Sequence, residues 1–116
     1  MRYMMIIHND NEALAKAPQA ELWAEYAAFN EALSKAGSGF SSGLRLSPGK
    51  EGTVVRARVG KTDVLDGPYA DTREQLAGYF FIDVPGIEQA VEWANRCPSS
   101  KHGAIEIRPI VEPKAG

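Results

Sequence analysis

The sequence contains very little cysteine, since Cys97 is the single one in 116 residues. A lone cysteine cannot form a disulfide within the chain, and no second cysteine is present to share a metal ion with it. Cys97 stands between a stretch with helical spacing and Pro98, which favours a small buried side chain over a reactive thiol. Glycine-rich phosphate loops and nucleophile elbows are absent as well. We therefore expect neither a metal nor a cofactor.

Two further features of many binding proteins are missing. Lysine and arginine number 13 against 15 aspartate and glutamate residues, for a net charge of -2. No basic stripe is then available for phosphates, so nucleic acid is not an expected partner. No apolar run reaches the roughly 18 residues that a membrane span needs, and the apolar residues 3–7 are too few for a signal-peptide core. We expect a cytoplasmic chain that binds no membrane.

The residues that are present have the balance of one soluble globular domain over 1–116, with 44% apolar and 24% charged residues. Leu22, Tyr26, Phe29 and Leu33 recur every three or four residues, as on one face of a helix, whereas alternating apolar residues indicate strands. In chain order the pattern predicts a strand over residues 1–7, a helix over 20–36, an irregular strand over 38–47, a hairpin of strands over 53–59 and 62–65 that turns at Gly60-Lys61, a central strand over 74–84, a helix from residue 87, and a last strand over 103–111.

This order predicts an α+β fold, a ferredoxin-like βαββαβ sandwich with an extra β-hairpin, in which two helices cover one face of an antiparallel sheet. The central strand has bulky residues on both faces, because Leu76, Phe80 and Ile82 alternate with Tyr79 and Phe81. The helices can cover only one of these faces. A second copy of the chain is the simplest cover for the other, so we expect a homodimer with a cavity between its two sheets.

Three runs of sequence resemble a known family: the run that opens with Asp66-Gly67-Pro68-Tyr69 and continues through the central strand, then Ala90-Val91-Glu92-Trp93-Ala94, and then Glu106-Ile107-Arg108-Pro109. They are similar to the DGPF branch of the YCII-related domain family, and this resemblance implies a dimeric α+β barrel. It also implies a functional link to sigma factors, because similar domains occur beside extracytoplasmic-function sigma factors. Members of the branch often have an acidic residue at the position of Ser42, so a mechanism with two carboxylates loses one of them here.

Asp66 and His8 are the candidate catalytic residues. Asp66 precedes Gly67-Pro68, which is typical of a rigid turn whose carboxylate caps N–H groups. The alternative is that this turn fixes the carboxylate at the mouth of the sheet cavity as a general acid or base. His8, at the end of the first strand, is either a hydrogen-bonded structural residue or a group that exchanges protons near neutral pH. The resemblance implies a catalytic His and Asp, with the His in the helical region after the first strand, where this chain has none.

Candidates for ligand binding are Asp71, Arg73, Tyr79, Glu106 and Arg108. Asp71 and Arg73 belong to a polar run that is either a solvated loop with weak ion pairs or a binding loop on a rigid scaffold. Glu106 and Arg108 alternate with two isoleucines, so both charges point to the face opposite the aliphatic one. If the isoleucines pack on the helices, Arg108 faces the dimer cavity, near the Tyr79 hydroxyl. There it would hold the carboxylate or phosphate of a small anionic ligand, or pair with Glu106.

Two functional hypotheses follow. The first is a dimeric small-molecule-binding or accessory module that does no catalysis. The second is a small cavity enzyme that uses acid–base chemistry by Asp66, with or without His8. A small molecule bound in the cavity beside a carboxylate would favour the enzyme, whereas a cavity filled by the protein's own side chains would favour the accessory module.

Overall fold

The computed structural model describes residues 1–70 and 72–112, apart from the side chains of residues 40–43. In chain order the elements are β1 (Arg2–Asp10), α1 (Asn11–Lys16), α2 (Gln19–Lys35), β2 (Gly39–Arg45), β3 (Thr53–Arg58), β4 (Lys61–Asp66), β5 (Glu74–Asp83), α3 (Ile87–Arg96) and β6 (Gly103–Pro109), with short 3-10 helices at Gly49–Glu51 and Pro98–Lys101. No helix in these two ranges is long and apolar enough to cross a bilayer.

Four strands form the main sheet in the order β2-β5-β1-β6, and every neighbouring pair is antiparallel. Strands β3 and β4 pair with each other as a separate two-stranded hairpin. The two central strands are thus the first and the third of the βαββαβ unit, which is the ferredoxin-like arrangement. The predicted α+β, ferredoxin-like fold with an extra hairpin is confirmed.

The hydrophobic core lies between the sheet and helices α2 and α3. Met5 and Ile82, on the two central strands, are fully buried. Phe29 of α2 packs edge-on against Phe80 of the sheet and Trp93 of α3, with ring centroids 5.7 and 6.0 Å apart. Edge-to-face contact is a preferred arrangement of aromatic rings. These contacts fix the helices to one side of the sheet.

Helix α1 is an element that the apolar spacing does not predict. Strand β1 continues to Asp10 instead of ending at Ile7, and the Asp10 carboxylate accepts hydrogen bonds from the backbone N–H groups of Glu12 and Ala13. An aspartate at this N-cap position supplies acceptors for N–H groups that have no partner within the helix. The six-residue helix therefore begins directly at the end of the strand.

A β-bulge in β5 changes which side chains share a face of the sheet. Ile7 pairs with Gly78, but His8 pairs with Leu76, so Ala77 is an extra residue in the strand. One extra residue reverses the alternation of side chains beyond it. Leu76 therefore lies on the face of Tyr79, and its predicted place on the opposite face is wrong.

The hairpin turns one residue earlier than predicted. Arg58 pairs with Lys61, so the two turn residues are Val59 and Gly60, and both have positive φ, at 50° and 75°. Positive φ at both positions is the condition for a type I′ turn, whose twist matches that of the paired strands. The Val59 side chain is fully exposed at the tip.

The chain is flat, with principal extents of 51 × 49 × 20 Å. Its radius of gyration is 16.4 Å, which exceeds the roughly 13 Å expected of a compact domain of this length. We call the sheet face opposite the core the outer face. Met4 and Ile6 of β1 and Tyr79 and Phe81 of β5 lie on it by their strand pairing, and all four are half-buried. A single chain thus leaves an apolar sheet surface in contact with solvent.

Candidate functional site

Three polar side chains form a hydrogen-bonded run on the outer face. His8 Nε2 lies 2.9 Å from Glu106 Oε1, and Arg108 Nη1 donates to Glu106 Oε2 at 3.1 Å. The register of β1 against β6 causes this meeting, because Ile6 is opposite Glu106 and His8 is the next residue of β1 on the same face. We call these three residues the outer-face polar run.

The electrostatics of the run centre on Glu106. The hydrogen bond with His8, and next that from Arg108, lower the pKa of the Glu106 carboxyl. An ionised carboxylate can only accept hydrogen bonds, so the His8 proton that it binds is on Nε2. In neutral His8 the lone pair then lies on Nδ1, and this nitrogen is the one that can take up a proton. The geometry therefore orients His8 as a proton acceptor.

The exposure of the run increases along it. The His8 side chain is 29% exposed, Glu106 41% and Arg108 67%. Ile105 and Ile107, the neighbours of Glu106 on β6, pack against the core, so the charged residues are on the outer face, as the alternation predicts. In the single chain Arg108 already has a partner in Glu106, and most of its side chain remains exposed.

Aromatic side chains lie on the same face, two strands away from Glu106. Tyr79 and Phe81 pack edge to face with ring centroids 5.6 Å apart. Tyr79 pairs with Ile6 on β1, and Ile6 pairs with Glu106 on β6, so the three residues form one row across the sheet. The outer-face polar run therefore borders an apolar and aromatic floor.

Asp66 is not part of this group. It is the last residue of β4, its side chain is exposed, and no described residue forms a hydrogen bond or ion pair with its carboxylate. The turn after it is held by the backbone instead, because Gly67 has a φ of 109° and its N–H donates to the carbonyl of Gly52 at 2.8 Å. That φ is one that glycine adopts without strain. Neither the capping role nor the catalytic role predicted for Asp66 has a contact to support it in the described part of the chain.

The turn that follows Asp66 does approach the candidate histidine. A cleft of about 580 Å³ is lined by His8 and Leu76 on one side and by Gly67 and Pro68 on the other. The Asp66 carboxylate is not among the groups that line it. Its lining also includes two glutamates, and His8 is the basic residue among the described residues that line it.

Arg73 has a contact that the sequence did not predict. Its Nε donates to Asp10 Oδ2 at 2.6 Å, and Asp10 is also the N-cap of α1. The hydrogen bond from Arg73, followed by that from the backbone of Ala13, lowers the pKa of the Asp10 carboxyl. We call this contact the Asp10 clasp, since it ties the loop before β5 to the end of β1. Asp71, the other candidate in that loop, lies outside the described residues.

The sequence contains a pattern that predicts Asp10 as the N-cap of a helix. An aspartate followed by Asn11 and Glu12 and then by alanines is a helix start pattern. The partnership of His8 with Glu106 had no such signal, because it depends on the register of two strands that are far apart in the chain. Among residues 1–70 and 72–112, no three His, Cys, Asp or Glu side chains are placed to share a metal ion.

A comparison with protein families matches the YCII-related domain over residues 1–114. The chain belongs to the YCII-related domain family. An uncharacterized protein from Rhizobium meliloti (strain 1021) is 31% identical to this YCII-related chain over 123 residues, covering 100% of the chain and 97% of that protein.

The YCII-related fold is also seen in a solved structure, 5-chloro-2-hydroxyhydroquinone dehydrochlorinase from Burkholderia phenoliruptrix AC1100 in complex with 2,5-dihydroxybenzoquinone. The TM-score is 0.55 at 12% identity, and the likeness covers 97% of this chain and 96% of that one. At this level of identity the two proteins share a fold. The side chain of Ser42, where the DGPF branch often has an acidic residue, is outside the described part of this chain.

Proposed function

We propose that this YCII-related protein is a homodimer that binds a small organic anion in a cavity between the outer faces of two sheets. The observation that carries the proposal is the outer-face polar run, His8, Glu106 and Arg108, beside half-buried aromatic side chains on a face without a cover of its own. Binding sites for small molecules usually combine an apolar lining with a few convergent polar groups.

The reason for a second copy is the apolar character of the outer face. Met4, Ile6, Tyr79 and Phe81 present a continuous apolar surface there. Stable interfaces bury about 800 Å² on each partner, and a four-stranded sheet face is a surface of that order. Two sheets that pack face to face about 10 Å apart would cover these side chains and enclose the polar run.

The reason for an anion is the unused hydrogen-bonding capacity of Arg108. A guanidinium has five N–H donors, and one of them is used by Glu106 within the chain. The outer-face polar run has no net charge when His8 is neutral and a charge of about +1 when His8 is protonated. Exclusion of water by the second sheet would strengthen the attraction of this group for a carboxylate or phosphate.

The dimer is tested by light scattering at micromolar concentration. We expect the mass of two chains for the unchanged protein and of one chain for Ile6→Lys, which places a charge in the centre of the outer face. Val64→Lys is the matched control, because Val64 is an exposed apolar residue of the hairpin. A mass of one chain for the unchanged protein contradicts the proposal.

The anion site is tested by calorimetry with acetate, benzoate and inorganic phosphate. We expect Arg108→Met to weaken binding of the preferred anion by roughly tenfold or more, the value of a charged hydrogen bond, while the dimer persists. Arg58→Met on the hairpin is the control for loss of one positive charge. If no anion binds and Arg108→Met destabilises the fold instead, Glu106 is the sole partner of Arg108 and the anion site is wrong.

A second candidate function is acid–base catalysis by His8. The hydrogen bond of 2.9 Å to Glu106 is the specific observation that favours it, because a carboxylate that holds one ring nitrogen orients the other as a base. Asp66, the other proposed acid–base group, is exposed, and no described residue forms a hydrogen bond or ion pair with its carboxylate. The structural neighbour carries the name of a dehydrochlorinase.

Release of chloride from 5-chloro-2-hydroxyhydroquinone tests this candidate. Loss of HCl turns two hydroxyls of this triol into the carbonyls of a hydroxybenzoquinone. One hydroxyl proton moves to the ring carbon that carries chlorine, a base takes the other hydroxyl proton, and the C–Cl bond breaks to release chloride. We expect His8→Gln to lower the rate by about 100-fold or more, the usual contribution of a general base. His102→Gln, in the loop before β6, is the matched control. No chloride release above the rate in buffer excludes this substrate and leaves the binding function.

A further inference from the structure

The β3–β4 hairpin has little cover in the single chain. It forms a sheet separate from the main one, and Val54 is the one residue of its two strands that is not exposed. A two-stranded hairpin is marginally stable in water unless it packs against another element. Val59 at the tip of the hairpin is fully exposed and has a φ of 50°, which is strained for a β-branched residue. An exposed, strained apolar tip indicates a surface that gains by contact with a partner.

The tip combines this apolar side chain with positive charge. Arg58 and Lys61 are paired across the turn, so they lie on one face of the hairpin with Cα atoms about 5 Å apart. Neither cation forms an ion pair with another described residue. We call Arg58, Val59 and Lys61 the basic tip. A matching partner has two carboxylates at a similar spacing, beside exposed apolar side chains.

Helix α3 has a surface of this kind. Glu88 and Glu92 are exposed and one helical turn apart, about 6 Å along the axis. Ile87 and Val91 lie beside them and are 47% and 52% exposed. Within the part of the chain that the structure describes, neither glutamate forms an ion pair. We call these four residues the acidic ridge.

We propose that the basic tip of one copy of the chain binds the acidic ridge of a second copy, whose own tip binds the ridge of the first in return. The two surfaces have opposite charge and matching spacing, and every copy carries both. Arg96, the remaining charged residue of α3, is held over the Trp93 ring at 4.4 Å. Two cations therefore meet two carboxylates in each half of the contact. Such a reciprocal contact is closed by a two-fold axis.

This contact is separate from the proposed outer-face dimer. Ala90, Trp93 and Ala94 of α3 belong to the core, so the helix and its acidic ridge lie on the side of the sheet away from the outer face. The contact therefore joins outer-face dimers in pairs. It is small and its charges are exposed, and both properties are typical of a weak, transient interface.

Association is measured by sedimentation equilibrium of the full chain from about 5 to about 500 µM, the range of a weak contact. We expect the average mass to rise from two chains towards four. About 0.5 M NaCl should prevent the rise, because salt screens exposed charges. A mass that does not rise with concentration overturns the proposal. A rise that the salt leaves unchanged overturns it too, since attraction between charges is then not its cause.

Two double charge reversals test the contact from both sides. Glu88→Lys with Glu92→Lys makes the ridge basic. Arg58→Glu with Lys61→Glu makes the tip acidic. We expect each double variant alone to associate at least tenfold more weakly than the unchanged chain, because like charges then face each other. An equimolar mixture of the two should regain association, since the basic tip of the first meets the acidic ridge of the second, and the reversed tip meets the reversed ridge. A mixture that does not associate overturns the proposal.

Two controls isolate the contact. Glu21→Lys with Glu31→Lys changes two exposed carboxylates of α2 and shifts the net charge by as much as the ridge reversal. We expect it to associate like the unchanged chain, and weakening equal to that of the ridge reversal overturns the proposal. Ile6→Lys, which separates the outer-face dimer, should still associate, from one chain towards two. Failure of the outer-face dimer and failure of this contact therefore give different masses.

Discussion

Removal of the Tyr26 hydroxyl should destabilise the fold by an amount that the structure sets. This hydroxyl is hydrogen-bonded to Ser99 and lies 4.0 Å from the Cys97 sulfur, and Ser99 is only 2% exposed. Tyr26→Phe leaves the Ser99 hydroxyl buried without its partner, which costs about 1–3 kcal/mol of the free energy of unfolding. For a chain of this length that is a fall of roughly 4–12 °C in the melting temperature.

The effect also has a pH dependence with a definite sign. Burial, and next the charge of Cys97, raise the pKa of Tyr26 from 10.0 to about 12. The folded chain thus keeps the phenolic proton at a pH at which the unfolded chain has lost it. The stabilisation from neutral Tyr26 is complete below pH 10 and is lost as the pH rises towards 12. After allowance for the partial exposure of Tyr26, this amounts to about 2 kcal/mol.

The assay is urea denaturation of the unchanged chain and Tyr26→Phe at pH 8 and at intervals from pH 10 to 12. We expect the stability difference between the two proteins to narrow by about 2 kcal/mol over that interval. Ser99→Ala and the double variant complete a double-mutant cycle. The double variant should lose less free energy of unfolding than the two single variants lose together. A difference that stays constant with pH, or strictly additive losses, would refute the reasoning.

Three further predictions concern single positions. Asp66→Asn should change the free energy of unfolding by less than about 0.5 kcal/mol, as at other exposed positions, and a melting temperature several degrees lower would show that the carboxylate is structural. Val59→Asn should raise the free energy of unfolding by up to about 1 kcal/mol, because valine is strained at positive φ and asparagine tolerates it. An unchanged urea midpoint would contradict the positive φ of Val59 in this turn. Cys97 is fully buried and burial raises the pKa of its thiol, so a thiol reagent should label it only on unfolding, and rapid labelling of the native chain would show that it is accessible.

Much of the fold could be predicted because it depends on local pattern. Ile105 and Ile107 pack on the core while Glu106 points outwards, and this follows from the two-residue period of a strand alone. The strand order followed from the order of helices and strands, since few topologies join them with short connections. The homodimer, the cytoplasmic location and the link to sigma factors stay predictions.

The parts of the fold and of the site that could not be predicted depend on a β-bulge and on strand register, which the local sequence pattern does not indicate. An alanine at position 77 is ordinary in a strand, so the bulge that moves Leu76 to the outer face could not be predicted from it. The pairing of His8 with Glu106 needed the register of β1 against β6, which local spacing does not fix.

The Asp10 clasp makes one carboxylate serve two neighbouring segments. Asp10 starts helix α1 and also binds Arg73, 63 residues later in the chain. A change at this position would therefore free a helix end and a loop together, and the two segments should exchange hydrogen with solvent as one cooperative unit. Among related sequences we expect positions 10 and 73 to vary as a pair, so that a relative without the aspartate also lacks the arginine and starts its first helix by another cap.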